Sequence, residues 1–210
     1  MKLCVCVGAG EFFGLPAWKE EPSFVVAADG GWEHLRRVGR LPDLLIGDLD
    51  SLETPPPPSV PLLRHPVEKD DTDMLLAVKE GLRRGCDTFF LLGGTGGRLD
   101  HTLANLQTLA FLHENGCRGW LFDRKSALTA TKSLRLPADL PFAAGTGTLS
   151  VFAFGGRAAD VTLTGLHYPL SGADLTPSFP LGVSNHWNGG NADVRCKSGC
   201  LLVSVPLSES

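Results

Sequence analysis

The sequence predicts an α/β protein with two domains: an N-terminal, mostly parallel α/β domain followed by a C-terminal antiparallel β-sandwich domain. Short apolar strands alternate with helical segments as far as Phe122, which is the α/β pattern. These strands are apolar throughout rather than alternating, as is typical of parallel strands buried on both faces. After Lys132 the helical periodicity ends, and short strands separated by Gly, Pro, Ser and Asn follow. We therefore expect domains at residues 1–135 and 145–210.

The first domain is expected to contain six strands and two amphipathic helices. The expected strands are Leu3–Val7, Phe24–Ala28, Leu44–Gly47, Leu62–Arg64, Thr88–Leu92 and Trp120–Phe122. The expected helices are Thr72–Arg84, with a stripe of Leu75, Val78 and Leu82, and His101–Glu114, with a stripe of Leu103, Leu106, Leu109 and Ala110. A solvated helix face is expected at Glu33, Arg36 and Arg37. In the second domain the expected strands are Thr148–Phe154, Asp160–Thr164, Ala192–Lys197 and Leu201–Val205.

The composition is that of a globular protein, with 43% hydrophobic and 20% charged residues and a net charge of -4. These values exclude intrinsic disorder. They provide no basic excess for nucleic acid or for an anionic membrane, and we expect neither partner. The apolar run Leu3–Val7 is too short for a membrane span. The six cysteines contain no CxxC pair, so we expect reduced thiols and a cytoplasmic location.

Acidic clusters follow two predicted strands and open a predicted helix, where open α/β sheets bind ligands. They are Ala28-Asp29-Gly30-Gly31, Gly47-Asp48-Leu49-Asp50-Ser51 and Glu68-Lys69-Asp70-Asp71-Thr72-Asp73. In an extended segment Asp48 and Asp50 share a face. Two like charges about 4 Å apart repel by roughly 4 kcal/mol at an effective dielectric of about 20, so something must compensate them, and a divalent cation would. Oxygen ligands favour Mg²⁺.

A glycine-rich loop joins the strand Thr88–Leu92 to the next helix. Its sequence, GGTGGRLDH at residues 93–101, is neither a Walker A loop nor a GxGxxG fingerprint. Backbone amides and the helix N-terminus in such a loop face a phosphate, and Arg98 is able to grip its oxygens with two donors. We therefore expect phosphate binding here.

Taken together, these motifs resemble the thiamine pyrophosphokinase (thiamine diphosphokinase) family. The resemblance is carried by ADGG at 28–31, PDLLIGDLDS at 42–51, EKDDTD at 68–73 and GGRLDH at 96–101, in this order and spacing. GLHYPL at 165–170 and VSNHW at 183–187 are similar to the family's C-terminal motifs. The resemblance implies transfer of the pyrophosphoryl group of ATP to the hydroxyethyl oxygen of thiamine, which yields AMP and thiamine diphosphate. It also implies Mg²⁺ and a homodimer with active sites at the subunit interface.

The resemblance assigns roles position by position. Magnesium ligands are expected at Asp48, Asp50 and Asp73, and catalytic polar residues at Asp70, Arg98 and Asp100. ATP is expected to contact Asp29, Gly30, Gly93, Gly94, Thr95, Arg98 and His101. Thiamine is expected to contact Lys69, Ser184, Asn185 and Trp187. Asp71 falls at a variable position, and Trp32, His34 and Tyr168 depart from the family's usual residues.

Several alternatives stay open at the level of sequence. Asp70 or Asp100 accepts the alcohol proton, or each is an N-cap of the helix that it precedes. Trp187 stacks on thiamine or belongs to a core. Rival functions are a pyrophosphokinase for another small alcohol such as a hydroxymethylpterin, a magnesium-dependent nucleotide hydrolase, and a non-catalytic binding module.

Overall fold

The computed structural model describes residues 1–47, 54–64 and 70–208. These residues form three helices and thirteen strands, which confirms the mixed α/β class. The chain divides into two compact units. The first comprises Met1–Leu15, Glu20–Leu109 and Gly116–Asp123, and the second comprises Pro16–Lys19, Ala110–Asn115 and Arg124–Ser210.

The first unit is built on a parallel sheet of strand order β4-β3-β2-β1-β5-β6. Its elements along the chain are β1 (Leu3–Val7), β2 (Phe24–Ala28), α1 (Gly31–Arg37), β3 (Leu44–Gly47), β4 (Leu62–Arg64), α2 (Asp73–Arg83), β5 (Thr88–Leu92), α3 (Leu99–Glu114, which begins here) and β6 (Arg118–Phe122). Strands β1, β2, β3 and β5 are buried along their whole length, as expected of parallel strands. Because the strands are parallel, their carboxyl ends meet at one edge of the sheet.

Helix α3 buries only part of the stripe that its leucine spacing predicts. Leu103, from the predicted stripe, is 55% exposed, and Leu99 is 73% exposed. The buried side chains of α3 are Asn105, Thr108, Leu109 and Leu112. Asn105 is tolerated there because its Nδ2 donates a hydrogen bond of 2.7 Å to the carbonyl oxygen of Gly94.

Helix α1 also differs from its prediction, because Glu33 is buried rather than solvated. Glu33 Oε2 accepts hydrogen bonds from Arg36 Nε at 2.9 Å and Nη2 at 2.8 Å. Glu33 Oε1 accepts a third, from the backbone N–H of Thr54 at 3.1 Å. The hydrogen bonds from Arg36 hold the pKa of this carboxyl below its usual range. A carboxylate satisfied in this way can leave the solvent, which periodicity alone does not reveal.

The second unit is an antiparallel network centred on one long strand, β9. Its strands are β7 (Ser126–Thr131), β8 (Ser133–Leu136), β9 (Gly147–Thr164), β10 (Leu170–Leu175), β11 (Asn185–Trp187), β12 (Ala192–Arg195) and β13 (Ser198–Pro206). Strands β10, β11, β12 and β13 all pair with β9, while β7 pairs with β13 and β8 with β12. The predicted antiparallel character of this part is confirmed.

Strand β9 joins two segments that the sequence predicts as separate strands, Thr148–Phe154 and Asp160–Thr164. Gly155 lies between them with a φ of 70°, a backbone conformation that favours glycine. The register with β13 shifts at the same place, between the pairs formed by Ser198 and Cys200. A bulge therefore lets the chain bend without ending the strand.

The boundary between the two units lies earlier than expected. The sequence places residues up to 135 in the first domain, but β7 and β8 pair with strands of the second unit. The units divide after Asp123. In β8 buried and exposed residues alternate, which is the antiparallel pattern, and this alternation is the signal that loss of helical periodicity alone misses.

Within the described residues no helix is both long and apolar enough to cross a membrane. No disulfide bond joins any of the six cysteines, all of which the structure describes.

Candidate active site

A cavity of about 240 Å³ opens at the carboxyl edge of the parallel sheet in the first unit. Its walls come from the segments that follow β1, β2 and β5 and from the starts of α2 and α3. The lining residues are Gly8, Ala9, Gly10, Ala28, Asp29, Thr72, Asp73, Met74, Gly93, Gly94, Thr95, Gly96, Gly97, Arg98, His101 and Asn105. The structure thus brings Asp29, Asp73, Gly93, Gly94, Thr95, Arg98 and His101 together, as the sequence predicts. Gly30 is outside the lining and precedes α1 as its N-cap.

Two backbone segments, one at Gly8–Gly10 and one that begins at Gly93, form the glycine-rich wall. They lie so close to each other that no side chain fits between them. The N–H groups of Gly8 and Gly10 donate to the carbonyl oxygens of Leu92 and Gly93, both at 2.8 Å. A Cβ on Gly93 would lie 2.3 Å from the carbonyl oxygen of Gly8, and the φ of Gly93 is 61°. Only glycine satisfies both conditions, so this wall presents backbone rather than side chains to a ligand.

His34 supports the same wall from helix α1. Its Nε2 lies 2.8 Å from the carbonyl oxygen of Gly10 in a hydrogen bond, and its ring stacks on Phe12 with centroids 5.0 Å apart. Neither ring lines the cavity. The departure from the family pattern at His34 therefore provides a structural contact beneath the site.

Two residues that support the glycine-rich loop, Asn105 and Asp123, are not among the residues predicted from the sequence. Asn105 lines the cavity and donates to Gly94, and Thr95 Oγ1 donates to Asp123 Oδ1 at 2.9 Å. An asparagine on the buried side of a helix is the signal that identifies Asn105. Asp123 carries no such signal because its partner is distant in the sequence.

The start of helix α2 carries three acidic residues with different environments. Asp73 lines the cavity, whereas Asp70 is exposed and does not. Asp71 pairs with Lys79 at 2.6 Å, which anchors the segment to its own helix. Thr72 is the N-cap, since its Oγ1 accepts from the N–H of Leu75 at 3.2 Å. The alternative of Asp70 as the N-cap is therefore wrong.

The expected magnesium ligands are only partly visible. Asp48 and Asp50, and the expected thiamine residue Lys69, lie outside the described residues. β3 ends at Gly47, where a Cβ would lie 3.2 Å from the Cα of Asp29, a residue that lines the cavity.

The donor chemistry at this position fits Mg²⁺. Asp29 and Asp73 line the cavity with the oxygen donors that this ion prefers. Among the described residues no three His, Cys, Asp or Glu side chains form a metal-binding group by themselves.

Arg98 and Asp100 form an ion pair at the start of α3. Arg98 Nη2 and Nε donate to the two oxygens of Asp100 at 2.6 and 3.2 Å, and both side chains are exposed. The Arg98 guanidinium holds the pKa of Asp100 below its usual range, and Asp100 raises the pKa of Arg98. Asp100 lies inside the first turn of α3, so it does not precede the helix as a cap. It lies next to the cavity rather than in its lining.

The segment Ser184–Trp187 belongs to the second unit and alternates between buried and exposed residues. Ser184 and His186 are exposed, while Asn185 and Trp187 are 4% and 2% exposed. Trp187 Nε1 donates to the carbonyl oxygen of Gly190 at 2.7 Å. Within one chain this indole is therefore a core residue, the alternative that the sequence leaves open.

Asn185 holds a second aromatic residue at the surface. Its Nδ2 donates to the carbonyl oxygen of Tyr168 at 2.7 Å, and its Oδ1 accepts from the N–H of the same residue at 2.9 Å. The Tyr168 side chain is 61% exposed and meets the His167 ring edge-on, with centroids 4.5 Å apart. The exposed aromatic surface beside Ser184–Trp187 thus comes from Tyr168.

Comparisons with known proteins agree with this architecture. Residues 16–121 match the family described as thiamin pyrophosphokinase, catalytic domain. Residues 139–201 match the thiamin pyrophosphokinase, vitamin B1 binding domain. A thiamine pyrophosphokinase of Bacillus subtilis (strain 168) is 28% identical over 176 residues, which cover 81% of each chain.

Solved structures show the same fold over the full length. A thiamin pyrophosphokinase of Geobacillus thermodenitrificans is 25% identical, with a TM-score of 0.81 and 99% of each chain covered. The Bacillus subtilis thiamine pyrophosphokinase has a TM-score of 0.83 at 23% identity, with 100% of each chain covered, and supports the fold alone. The two family matches together span both units, and the chain belongs to the thiamine pyrophosphokinase family.

Proposed function

We propose that this protein transfers the pyrophosphoryl group of ATP to the hydroxyethyl oxygen of thiamine, giving thiamine diphosphate and AMP. The observation that supports this most directly is one cavity lined by Asp29, Asp73, Arg98 and the glycine-rich loop. The membership in the thiamine pyrophosphokinase family agrees with it. Phosphoryl-type transfer depends on positioning and charge neutralisation, which this set of residues supplies without a covalent nucleophile.

The triphosphate of ATP binds along the glycine-rich wall in this proposal. Backbone N–H groups from Gly93 to Gly97 and the N-terminus of α3 attract phosphate oxygens. Thr95 and Asn105 hold the loop in shape through Asp123 and Gly94. Arg98 adds two fixed donors that match phosphate oxygens and stabilise charge on the transferred group or on the leaving AMP.

Asp73, together with Asp48 and Asp50, would hold Mg²⁺ at the acidic side of the cavity. When bound, Mg²⁺ neutralises phosphate oxygens and favours in-line attack at the β-phosphorus. Asp29 adds a further carboxylate to the lining of the cavity. The acidic side and the glycine-rich wall face the same cavity, so the two groups act on one polyphosphate chain.

We assign the proton acceptor to Asp100, with Asp70 as the alternative. While Arg98 binds Asp100, the depressed pKa makes that carboxylate a weak base. When Arg98 turns to the phosphates, Asp100 loses its cation and its pKa rises toward the ordinary value. Substrate binding would thus prepare the base for the alcohol proton.

Thiamine recognition is proposed for the surface of the second unit around Ser184. Thiamine is a cationic aromatic molecule, and an exposed ring attracts it through stacking and cation-π contact. Tyr168 offers such a ring, whereas Trp187 is enclosed. We therefore propose that Tyr168 and Ser184 contact thiamine, together with Lys69, while Asn185 and Trp187 hold the surface in place.

We propose further that the protein is a cytoplasmic homodimer with a β-sandwich thiamine-binding domain. Each active site then combines the cavity of one chain with the Ser184–Trp187 segment of its partner. Phe179, Leu181 and Val183 support this, because they are 64%, 47% and 46% exposed and directly precede Ser184. Large apolar side chains left in solvent on one segment favour burial by another surface. The absence of disulfide bonds supports the reducing location.

One incubation tests the function. The purified protein receives ATP and Mg²⁺, with thiamine, with a hydroxymethylpterin or with no acceptor, and the products are separated by chromatography. AMP and thiamine diphosphate formed in equal amounts support the proposal. ATP loss without thiamine indicates a hydrolase, and transfer to the pterin indicates that a hydroxymethylpterin is the acceptor. No turnover indicates a binding module.

A further inference from the structure

Three consecutive carbonyl oxygens in the glycine-rich loop, those of residues 93–95, accept hydrogen bonds from N–H groups of the protein. The donors are the backbone of Gly10, the side chain of Asn105 and the backbone of Glu11, at 2.8, 2.7 and 2.8 Å respectively. A carbonyl oxygen carries partial negative charge and would repel an anion. In this loop the three oxygens are bound by the protein rather than presented to a ligand.

The N–H groups of the same loop are in the opposite situation. No carbonyl oxygen of the described residues accepts a hydrogen bond from the N–H of Gly94, Gly96 or Gly97. All three glycines line the cavity. Neighbouring backbone N–H groups of this kind are the donors from which anion sites are built. The loop thus offers donors and withholds acceptors, which is the polarity that suits the phosphates of ATP.

Thr95, at the centre of the loop, is also fixed through its side chain. Its Oγ1 donates to Asp123 Oδ1 at 2.9 Å, and the residue is buried. Asp123 directly follows β6, the strand that pairs with β5 in the parallel sheet. The carboxylate therefore reaches the loop from the carboxyl end of the neighbouring strand, and it is not part of the cavity lining.

The position of Asp123 is unfavourable for ATP if charge alone is considered. A carboxylate close to a polyphosphate repels it, because both are anions. A favourable contribution of Asp123 to ATP binding must therefore come from the group that it holds, which is the hydroxyl of Thr95.

We propose that Asp123 is a positioning residue for ATP and acts through Thr95. By accepting from the hydroxyl it fixes the centre of the glycine-rich loop in the conformation that directs its N–H groups to the phosphate chain. A loop that is already held in this conformation has less conformational entropy to lose when ATP binds. Asn105 holds the preceding residue, Gly94, in the same way. The inference rests on the proposed function, and it assigns part of the ATP affinity to a residue outside the cavity lining.

Substitutions at both ends of the hydrogen bond test the proposal. Asp123→Ala removes the acceptor, whereas Asp123→Asn keeps an acceptor oxygen and loses the charge. Thr95→Val removes the donor, and Thr95→Ser keeps it. A double variant that combines Thr95→Val with Asp123→Ala shows whether the two residues act through each other.

The chain contains a matched control at the other end of β5. Asp87 Oδ1 accepts from Thr88 Oγ1, also at 2.9 Å, and from the backbone N–H of Lys2 at 2.9 Å. Thr88 is the first residue of β5 and lies at the amino end of the strand, away from the cavity. Asp87→Ala therefore removes the same kind of contact without changing the glycine-rich loop.

Two measurements on each full-length variant do not depend on turnover. Calorimetric titration with α,β-methylene ATP, in the presence of Mg²⁺ and without thiamine, gives the nucleotide affinity. In this analogue a carbon replaces the bridging oxygen that would leave with AMP, so no pyrophosphoryl group is transferred. Hydrogen exchange by mass spectrometry on the protein without nucleotide reports on the peptide that spans residues 93–98. The KM values for ATP and for thiamine are measured in parallel.

We expect Asp123→Ala and Thr95→Val to exchange faster in the 93–98 peptide and to bind the analogue about fivefold more weakly, the equivalent of about 1 kcal/mol for one hydrogen bond. The ATP KM should rise by the same factor, while the thiamine KM stays unchanged. Asp123→Asn and Thr95→Ser should recover most of the affinity. The double variant should bind no more weakly than Thr95→Val alone, and Asp87→Ala should bind like wild type even if its melting temperature falls.

The charge of Asp123 by itself predicts the opposite sign, because its removal would then strengthen nucleotide binding. Asp123→Ala that binds the analogue as tightly as wild type, or more tightly, overturns the proposal. Equal weakening in Asp87→Ala overturns it as well, and so do additive losses in the double variant. If Asp123→Ala does not fold, the loss in Thr95→Val and its recovery in Thr95→Ser decide.

The proposed function and the positioning role fail in different ways. A wild-type protein that binds the analogue but forms no thiamine diphosphate refutes the proposed function, whereas the affinity and exchange data still test the role of Asp123. A wild-type protein that does not bind the analogue refutes both.

Discussion

Arg98 and Asp100 bind each other with two hydrogen bonds at the mouth of the cavity, at 2.6 and 3.2 Å. Both side chains are exposed, so the pair is weak in free energy and able to open. The two residues are assigned different roles, one on phosphate and one on the alcohol proton. In our proposal the pair opens when ATP binds, because Arg98 then turns to the phosphate oxygens.

Arg98→Lys should lower kcat strongly while ATP still binds. Lysine keeps the positive charge but offers one point contact in place of two fixed donors. We expect a loss of about tenfold or more, the equivalent of one charge-assisted hydrogen bond of about 1.5 to 3 kcal/mol. Steady-state kinetics with varied ATP measure it. Kinetic constants equal to wild type would show that Arg98 is only a surface partner of Asp100.

Asp73→Asn should abolish most activity without unfolding the protein, because it removes charge from the magnesium side of the cavity rather than volume from a core. Asp48→Asn and Asp50→Asn should behave alike. Asp71→Asn is the control, since Asp71 pairs with Lys79 and lies outside the cavity lining. Activity and melting temperature in metal-free buffer are compared. The metal assignment fails if any two of the first three variants are fully active.

The contribution of Glu33 to stability should depend on pH in a defined direction. Arg36 lowers its folded-state pKa below the ordinary 4.5, so the stabilisation is present above pH 4.5 and is lost as the pH falls through the folded-state pKa. The melting-temperature difference between wild type and Glu33→Gln should thus be constant near neutral pH and shrink in acid. A difference that does not change between these conditions would contradict the pairing with Arg36.

The first unit was predictable because four of its parallel strands, β1, β2, β3 and β5, are buried along their whole length. β1, β2, β3, β4 and β5 begin and end at the residues that their apolar runs predict. The same runs place Asp29 and the glycine-rich loop at one sheet edge, and seven predicted residues line the cavity there. In this part of the chain one local pattern, an apolar run bounded by glycine and acidic residues, predicts both the strands and the residues that line the cavity.

The second unit and the supporting contacts were less predictable because they depend on distant partners. Strands β7, β8, β10 and β11 are short, and only their pairing with β9, β12 or β13 makes them strands. Glu33 looks like a surface residue until Arg36 and Thr54 are seen around it. Trp187 is buried because buried and exposed residues alternate along β11. A strand of only three residues is too short for this alternation to be recognised in the sequence.

Substitutions at Trp187 and Tyr168 should have different consequences. Trp187→Ala should lower stability by about 3 to 5 kcal/mol, because it empties a buried site and leaves the Gly190 carbonyl without its donor. Tyr168→Ala should leave the melting temperature near wild type and raise the thiamine KM without changing the ATP KM. Denaturant unfolding and kinetics with either substrate varied measure both. A folded Trp187→Ala protein with a selective thiamine defect would instead place thiamine on the indole.

If each active site is shared between two chains, two inactive variants should restore activity when they form mixed dimers. Asp73→Asn damages the cavity of its own chain, and Tyr168→Ala damages the thiamine surface, which in our proposal serves the partner's cavity. The two proteins are unfolded and refolded together, then assayed at a low thiamine concentration at which each alone is inactive. With random pairing half of the dimers are mixed, and each contains one intact site, so about a quarter of the wild-type activity should return.

Recovery is impossible if each site lies within one chain, since every chain then carries one lesion. A mixture as inactive as its parents, with mixed dimers demonstrated by mass spectrometry, would reject the shared site while the transferase activity stands.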